Sequence, residues 1–105
     1  MENEITITIS VNGQPAVDLA RKINGGRCCS IIGDDLAQME IGIDDDGEYN
    51  GLPQKWVDFS YIRIENLNSA LNEIKRLGFS GRALLFHEQI NGCSIETLSE
   101  TRIVL

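Results

Sequence analysis

The side chains able to act as a soft nucleophile and its base in this chain are Cys28, Cys29, Cys93 and the single histidine, His87. Thiol catalysis needs the sulfur within hydrogen-bond reach of an imidazole and a third group to orient the ring. Asn91-Gly92 is the strongest short hairpin signal in the sequence, and a turn there would fold Cys93 back towards His87. None of the local signatures of cysteine hydrolases accompanies the pair, so His87 is expected to be a strand histidine facing solvent. The same four side chains make a zinc set by residue type, but adjacent cysteines do not supply the Cys-x-x-Cys spacing of a tetrahedral site.

The oxygen donors lead no further towards chemistry. Asp44, Asp45, Asp46 and Glu48 look like a calcium loop until the positions are compared: with Asp44 as first ligand, Gly47 comes too early and Lys55 stands where a bidentate glutamate belongs. Gly25-Gly26-Arg27 follows a helical stretch instead of opening one, so it does not read as a phosphate loop. The acidic segment has carboxylates enough for glycosidic bond cleavage, with no cleft signal to set their spacing. The expectation is a binding protein and not an enzyme, with no catalytic residue, no metal and no cofactor.

Charge is the more informative feature. The formal net charge is -7. Between residues 34 and 58, Asp34, Asp35, Glu40, Asp44, Asp45, Asp46, Glu48 and Asp58 face the single base Lys55, and the acids and bases of the remaining chain cancel. Such a field draws cationic partners and speeds their encounter, most strongly at low salt. It opposes nucleic-acid backbones and anionic membranes, which call for Lys and Arg, so neither is an expected direct ligand. Tyr49 lies inside the acidic stretch and Trp56 follows it; aromatic residues are typical anchors, and acids around them can pair with Arg or Lys. The expected partner-binding set is Asp34, Asp35, Asp44, Asp45, Asp46, Glu48, Tyr49, Trp56 and Asp58. Trp56 fits equally well in the core of its strand, and Phe59 is assigned to the core.

These residues must be positioned by a chain of 105 residues, with an apolar fraction of 42% and a charged fraction of 24%, which describes one ordinary globular domain over 1–105. Glu4 to Val11 alternates strictly, placing Ile5, Ile7, Ile9 and Val11 on one face of a half-buried strand. Val17, Leu19, Ala20 and Ile23 recur at near-helical spacing after Pro15, with Gly25-Gly26 to close the helix; a hairpin across Asn12-Gly13 is the competing reading. Short strands over 27–32 and through Met39, Ile41 and Ile43 precede the longest loop signal, 44–53. Trp56 to Glu65, rich in aromatic and β-branched residues, predicts a long or central strand. Leu67, Ala70, Leu71, Ile74 and Leu77 form one helical stripe, with Asn66 as N-cap, Lys75 and Arg76 in the last turn and Gly78 beyond. A strand from Arg82 to Ile90, a return strand from Cys93 towards Leu98 and a separate last strand over Arg102 to Leu105 complete the pattern. The fold class is α+β, a largely antiparallel sheet of about five or six strands with one or two helices packed on one face.

No apolar run approaches the roughly 20 residues that span a bilayer. Met1-Glu2-Asn3-Glu4 is acidic where a secretory signal is basic, and an odd number of cysteines is a poor disulfide framework. Reduced thiols and a cytoplasmic location are expected.

Proteins that act on nucleic acid carry cationic clefts because their substrate is a polyanion, and a small acidic domain can cover such a cleft with carboxylates in place of phosphates. In size and charge, though in no motif, the chain resembles immunity proteins against toxin nucleases and inhibitors of defence nucleases. That resemblance implies an acidic inhibitor whose partner is a basic toxin or nuclease domain. The alternative is a structural or adaptor domain, a homodimer joined through the C-terminal Arg102-Ile103-Val104-Leu105, whose acidity serves only solubility. Neutralising Asp44, Asp45 and Asp46 together is expected to leave folding intact and to weaken partner capture in a pull-down; capture as tight as the parent's would exclude this loop as the interface.

Overall fold

The alternating run EITITISVN forms a strand, β1 (Glu4–Asn12), and in the computed structural model, which describes residues 4–105, this strand lies inside a sheet with neighbours on both sides. The first three residues fall outside that description, and with them most of the acidic N-terminal sequence read above. After β1 come α1 (Gln14–Ile23), β2 (Cys29–Ile32), β3 (Met39–Asp44), a small ribbon of β4 (Glu48–Tyr49) and β5 (Leu52–Pro53), and β6 (Trp56–Arg63). A 3-10 turn over Ile64–Asn66 leads into α2 (Leu67–Arg76), followed by the hairpin of β7 (Arg82–Asn91) and β8 (Ser94–Val104). Six strands make one antiparallel sheet in the order β2-β3-β6-β1-β7-β8, the expected α+β architecture. Because β6 and β7 each run antiparallel to β1 from opposite sides, they are parallel to one another, and α2 is the crossover between them.

Both helices bury their apolar stripes on the same face. Ile7, Ile9 and Val11 of β1, Met39 and Ile41 of β3, and Val57, Phe59 and Ile62 of β6 meet Val17 and Ala20 of α1 and Ala70 and Ile74 of α2 in one cluster, every member 2% exposed or less. Phe79, just past α2, packs edge-on against Phe59 with 4.9 Å between ring centroids. The helix after Pro15 forms, and the competing hairpin does not, because Gly25 and Gly26 adopt positive φ and Gly26 N–H donates to the Arg21 carbonyl at 3.0 Å, closing the helix end. The buried Asn24 then ties that end to the sheet, donating to the Ile41 carbonyl at 3.3 Å and accepting from Ser30 Oγ at 2.5 Å.

Three expectations need correcting. β1 is buried on both faces: Thr6, Thr8 and Ser10 are 5%, 8% and 6% exposed, since side chains of the flanking β6 and β7 cover them, whereas Ile5 near the strand's start is 42% exposed. Asn66 does not cap α2 with its side chain. The 3-10 turn already supplies the first bonded turn, Leu67 N–H to the Ile64 carbonyl, and the Asn66 amide reaches the Asp35 carbonyl at 3.5 Å instead. The return strand and the last strand are one, β8, whose polar centre lacks an apolar rhythm because it is an edge strand with little to bury. Its register slips beside His87 and Glu88, leaving Leu98 as a bulge residue.

Phe59→Ala should cost about 3–5 kcal/mol in urea unfolding, because its ring joins both flanks of the core. Leu98→Ala, on the exposed edge, should change stability by no more than about 0.5 kcal/mol.

Candidate functional site: the helix-free face of the sheet

The acidic segment does not form one patch. Asp34 and Asp35 sit in the β2–β3 turn, whereas Asp44 ends β3 at the opposite end and Asp45, Asp46 and Glu48 follow it. A six-residue strand separates the two groups by roughly 17–20 Å. Several of these carboxylates are engaged within their own loops. Asp34 Oδ1 accepts from Leu36 and Ala37 N–H at 2.9 and 3.2 Å, and Asp44 Oδ1 accepts from Asp46 N–H at 3.1 Å. Asp45 pairs with Arg21 at 2.8 Å and Lys55 at 3.7 Å. Tyr49 and Trp56 are both half-buried and meet edge-on, 5.8 Å between centroids. Trp56 is thus in neither expected extreme: its strand partner is Asn12, on the face away from the helices.

Asp58 is placed differently. It lies mid-strand on β6, directly opposite Ser10, and accepts a 2.7 Å hydrogen bond from Ser10 Oγ. Two residues along β1, Thr8 Oγ1 donates to Glu88 Oε1 of β7 at 2.5 Å. A row of hydroxyls therefore runs along the centre of the helix-free face with a carboxylate on either flank. Burial pushes the Asp58 carboxyl above its ordinary range; the Ser10 hydrogen bond opposes this, and the negative charges of Asp44 and Glu88 add to it. Among the described residues neither Asp58 nor Glu88 has a cation within ion-pair distance. Strand register puts Glu40, opposite Ser60, and Glu100, opposite Phe86, on the same face.

Tyr61 completes the site. Ser60 and Tyr61 together oppose Thr8, a bulge in which Tyr61 adopts φ 61, the left-handed region that a large side chain enters only at a cost of about 1–3 kcal/mol. The bulge leaves Tyr61 51% exposed, at the rim of a hollow of about 170 Å³ lined by Thr6, Thr8, Asp58, Ser60, Glu88, Ile90 and Ile95. Aliphatic and aromatic walls above paired carboxylates suit the stem and head of one lysine or arginine.

The thiol and imidazole groups are apart from this hollow. His87 Nδ1 lies 3.2 Å from Ser99 Oγ across the hairpin, and Cys93 is in the exposed turn. Cys28 and Cys29 are free and exposed, and the hydrogen bond and then the charge of Cys28 push the Cys29 thiol up, away from the thiolate that nucleophilic chemistry uses. Among the described residues no three His, Cys, Asp or Glu side chains converge as metal ligands, and no helix is long and apolar enough to cross a membrane. The outer edge of β8 carries Glu96, Glu100 and Arg102 and the Leu98 bulge, devices that discourage strand addition. Comparison of the chain with models of known families, with characterised proteins and with solved structures finds no match.

Sequence reading found Asp58 but not its setting. Glu88 was overlooked because it is 30 residues from Asp58 in the chain. The signal available was the polar half of the alternation, Thr6, Thr8 and Ser10, which on a central strand requires acceptors beside it. Nothing in the sequence around Tyr61 announces a left-handed bulge.

Since folding makes Asp58 harder to ionise, it favours the native state below the ordinary carboxylate range, and that advantage is lost as pH rises through the raised value. Asp58→Asn keeps an acceptor for Ser10 and should be more stable than the parent at neutral pH, the gap closing in acid. Urea transitions at the two pH values check this; a gap that widens in acid would contradict it.

Proposed function

We propose that the protein is an acidic inhibitor, immunity- or antitoxin-like in role, that blocks a basic nucleic-acid-acting toxin or nuclease by binding and not by catalysis. The observation that carries this reading is the pair of half-buried carboxylates, Asp58 and Glu88, flanking a hydroxyl row on an uncovered sheet face, with no cation within ion-pair distance among the described residues. A Lys or Arg from the partner, entering the hollow beside Tyr61, would offset the mutual repulsion and the burial that disfavour the Asp58 carboxylate. Carboxylates fixed on strands lose little freedom on binding, which favours affinity. The exposed Asp44, Asp46 and Glu48, with Asp34 and Asp35 at the far end, act in this reading as steering charges that raise the encounter rate. Free, exposed cysteines accord with a cytoplasmic setting.

Affinity capture from lysate of the source organism, loaded at low salt and eluted with a salt gradient, should yield one stoichiometric basic partner. Asp58→Asn combined with Glu88→Gln should cost about 2–5 kcal/mol of binding, and Asp34→Asn with Asp35→Asn chiefly the association rate. Tyr61→Gly should stabilise the free protein by about 1 kcal/mol and weaken capture. Recovery of nothing but further copies of the chain, unmoved by salt, would replace this reading with the self-associating structural domain.

A further inference from the structure

A second constellation stands at the other end of the helix-free face. Arg82 opens β7 opposite Val104, and Arg102 of β8 is opposite Leu84, two residues along. The arginines are thus diagonal neighbours on one face, where backbones are about 7–8 Å apart and long like-charged side chains repel. Among the described residues neither has a carboxylate within ion-pair distance; Asp45 is taken by Arg21 and Lys55, and Glu73 by Arg76. Beside them runs an open cleft of about 580 Å³ that reaches Trp56 and Tyr49. That volume falls among small-molecule sites, about 300–1,000 Å³. The Trp56 ring is held in place by its surroundings: a Cβ on Gly47 would lie 2.4 Å from Trp56 Cδ1, so the glycine lets the acidic loop close directly on the indole.

We propose that this cleft binds a small aromatic carboxylate, its charged group between Arg82 and Arg102 and its ring against Trp56. Guanidinium forks match a planar carboxylate bidentately, and an indole offers a face or edge to a flat ring. A single negative charge fits better than a polyphosphate. Asp44 Oδ2 lies 3.1 Å from the same position on Gly47, and the chain carries a net charge of -7, so each further anionic group meets added repulsion. The residues involved are not those of the Asp58–Glu88 hollow, so this site stands whether or not the inhibitor reading does.

Trp56 is the chain's only tryptophan, so its fluorescence reports on the cleft directly. The full chain would be titrated with benzoate, with benzamide as the uncharged equivalent, and with inorganic phosphate. Benzoate should give a saturable change, benzamide should bind at least about tenfold more weakly, and phosphate should leave the emission unchanged. Arg82→Gln with Arg102→Gln should lose about tenfold or more in benzoate affinity while keeping the parent's urea transition. No response to benzoate, equal responses to benzoate and benzamide, a response to phosphate matching that to benzoate, or an unchanged response in the folded double variant would each overturn the proposal. If the double variant fails to fold, Arg102→Lys keeps the charge and loses the fork, and an undiminished response there overturns it equally.

Discussion

Two hydroxyls on the uncovered face of a sheet, those of Thr8 and Ser10, set the terms for the rest of this molecule. They have no helix above them, yet strands on both sides bury their residues. A buried hydroxyl without a partner costs about 1–3 kcal/mol, so acceptors must come from neighbouring strands, and those acceptors are carboxylates. Ser10 draws in Asp58 and Thr8 draws in Glu88. No buried side-chain polar atom among the described residues is left without a partner. Hydrogen bonding is satisfied while electrostatics is not, because a hydroxyl donates one bond and brings no positive charge.

The face towards the helices and the face away from them are therefore built on different principles. One buries Ile, Val and Phe against amphipathic helices and is non-directional. The other depends on directed bonds whose donors and acceptors lie far apart in sequence; Thr8 and Glu88 are separated by 80 positions. The apolar side could exchange one aliphatic residue for another of similar volume at modest cost. The polar side has no such latitude, since removing either member of a pair strands the other.

That division explains what was legible in the amino-acid order. Periods of two and of 3.6 residues identified β1, β3, β6, β7 and both helices, because apolar burial repeats locally: Ile7, Ile9 and Val11 announce a strand, and Ala70, Ile74 and Leu77 a helix. The continuity of β8 was hidden, since an exposed edge imposes no apolar rhythm on Leu98 to Thr101. Counting charge along the chain singled out residues 34–58, but strand pairing redistributes charge. It sends Asp34 and Asp44 to opposite ends of β3 and brings Glu88 beside the hydroxyl row that Asp58 also flanks. A linear charge run measures solvation of loops, whereas a binding face depends on register, and register is set by long-range pairing that no short window contains.

The position of β1 also governs the order in which the chain can be assembled. The strand is synthesised before both of its sheet neighbours, which begin at Trp56 and Arg82, yet it lies between them in the sheet. Until β6 has been synthesised, a segment rich in Ile and Thr has no native edge to join, and its other side stays open until β7 follows. Synthesis at about 5–20 residues per second leaves it waiting for several seconds. Helix α1 and the β2–β3 hairpin can form early from local contacts, but the sheet closes only when β7 is delivered, and non-local pairing of this kind is slow. Any factor that shields nascent β-prone segments would find its natural client in this first strand.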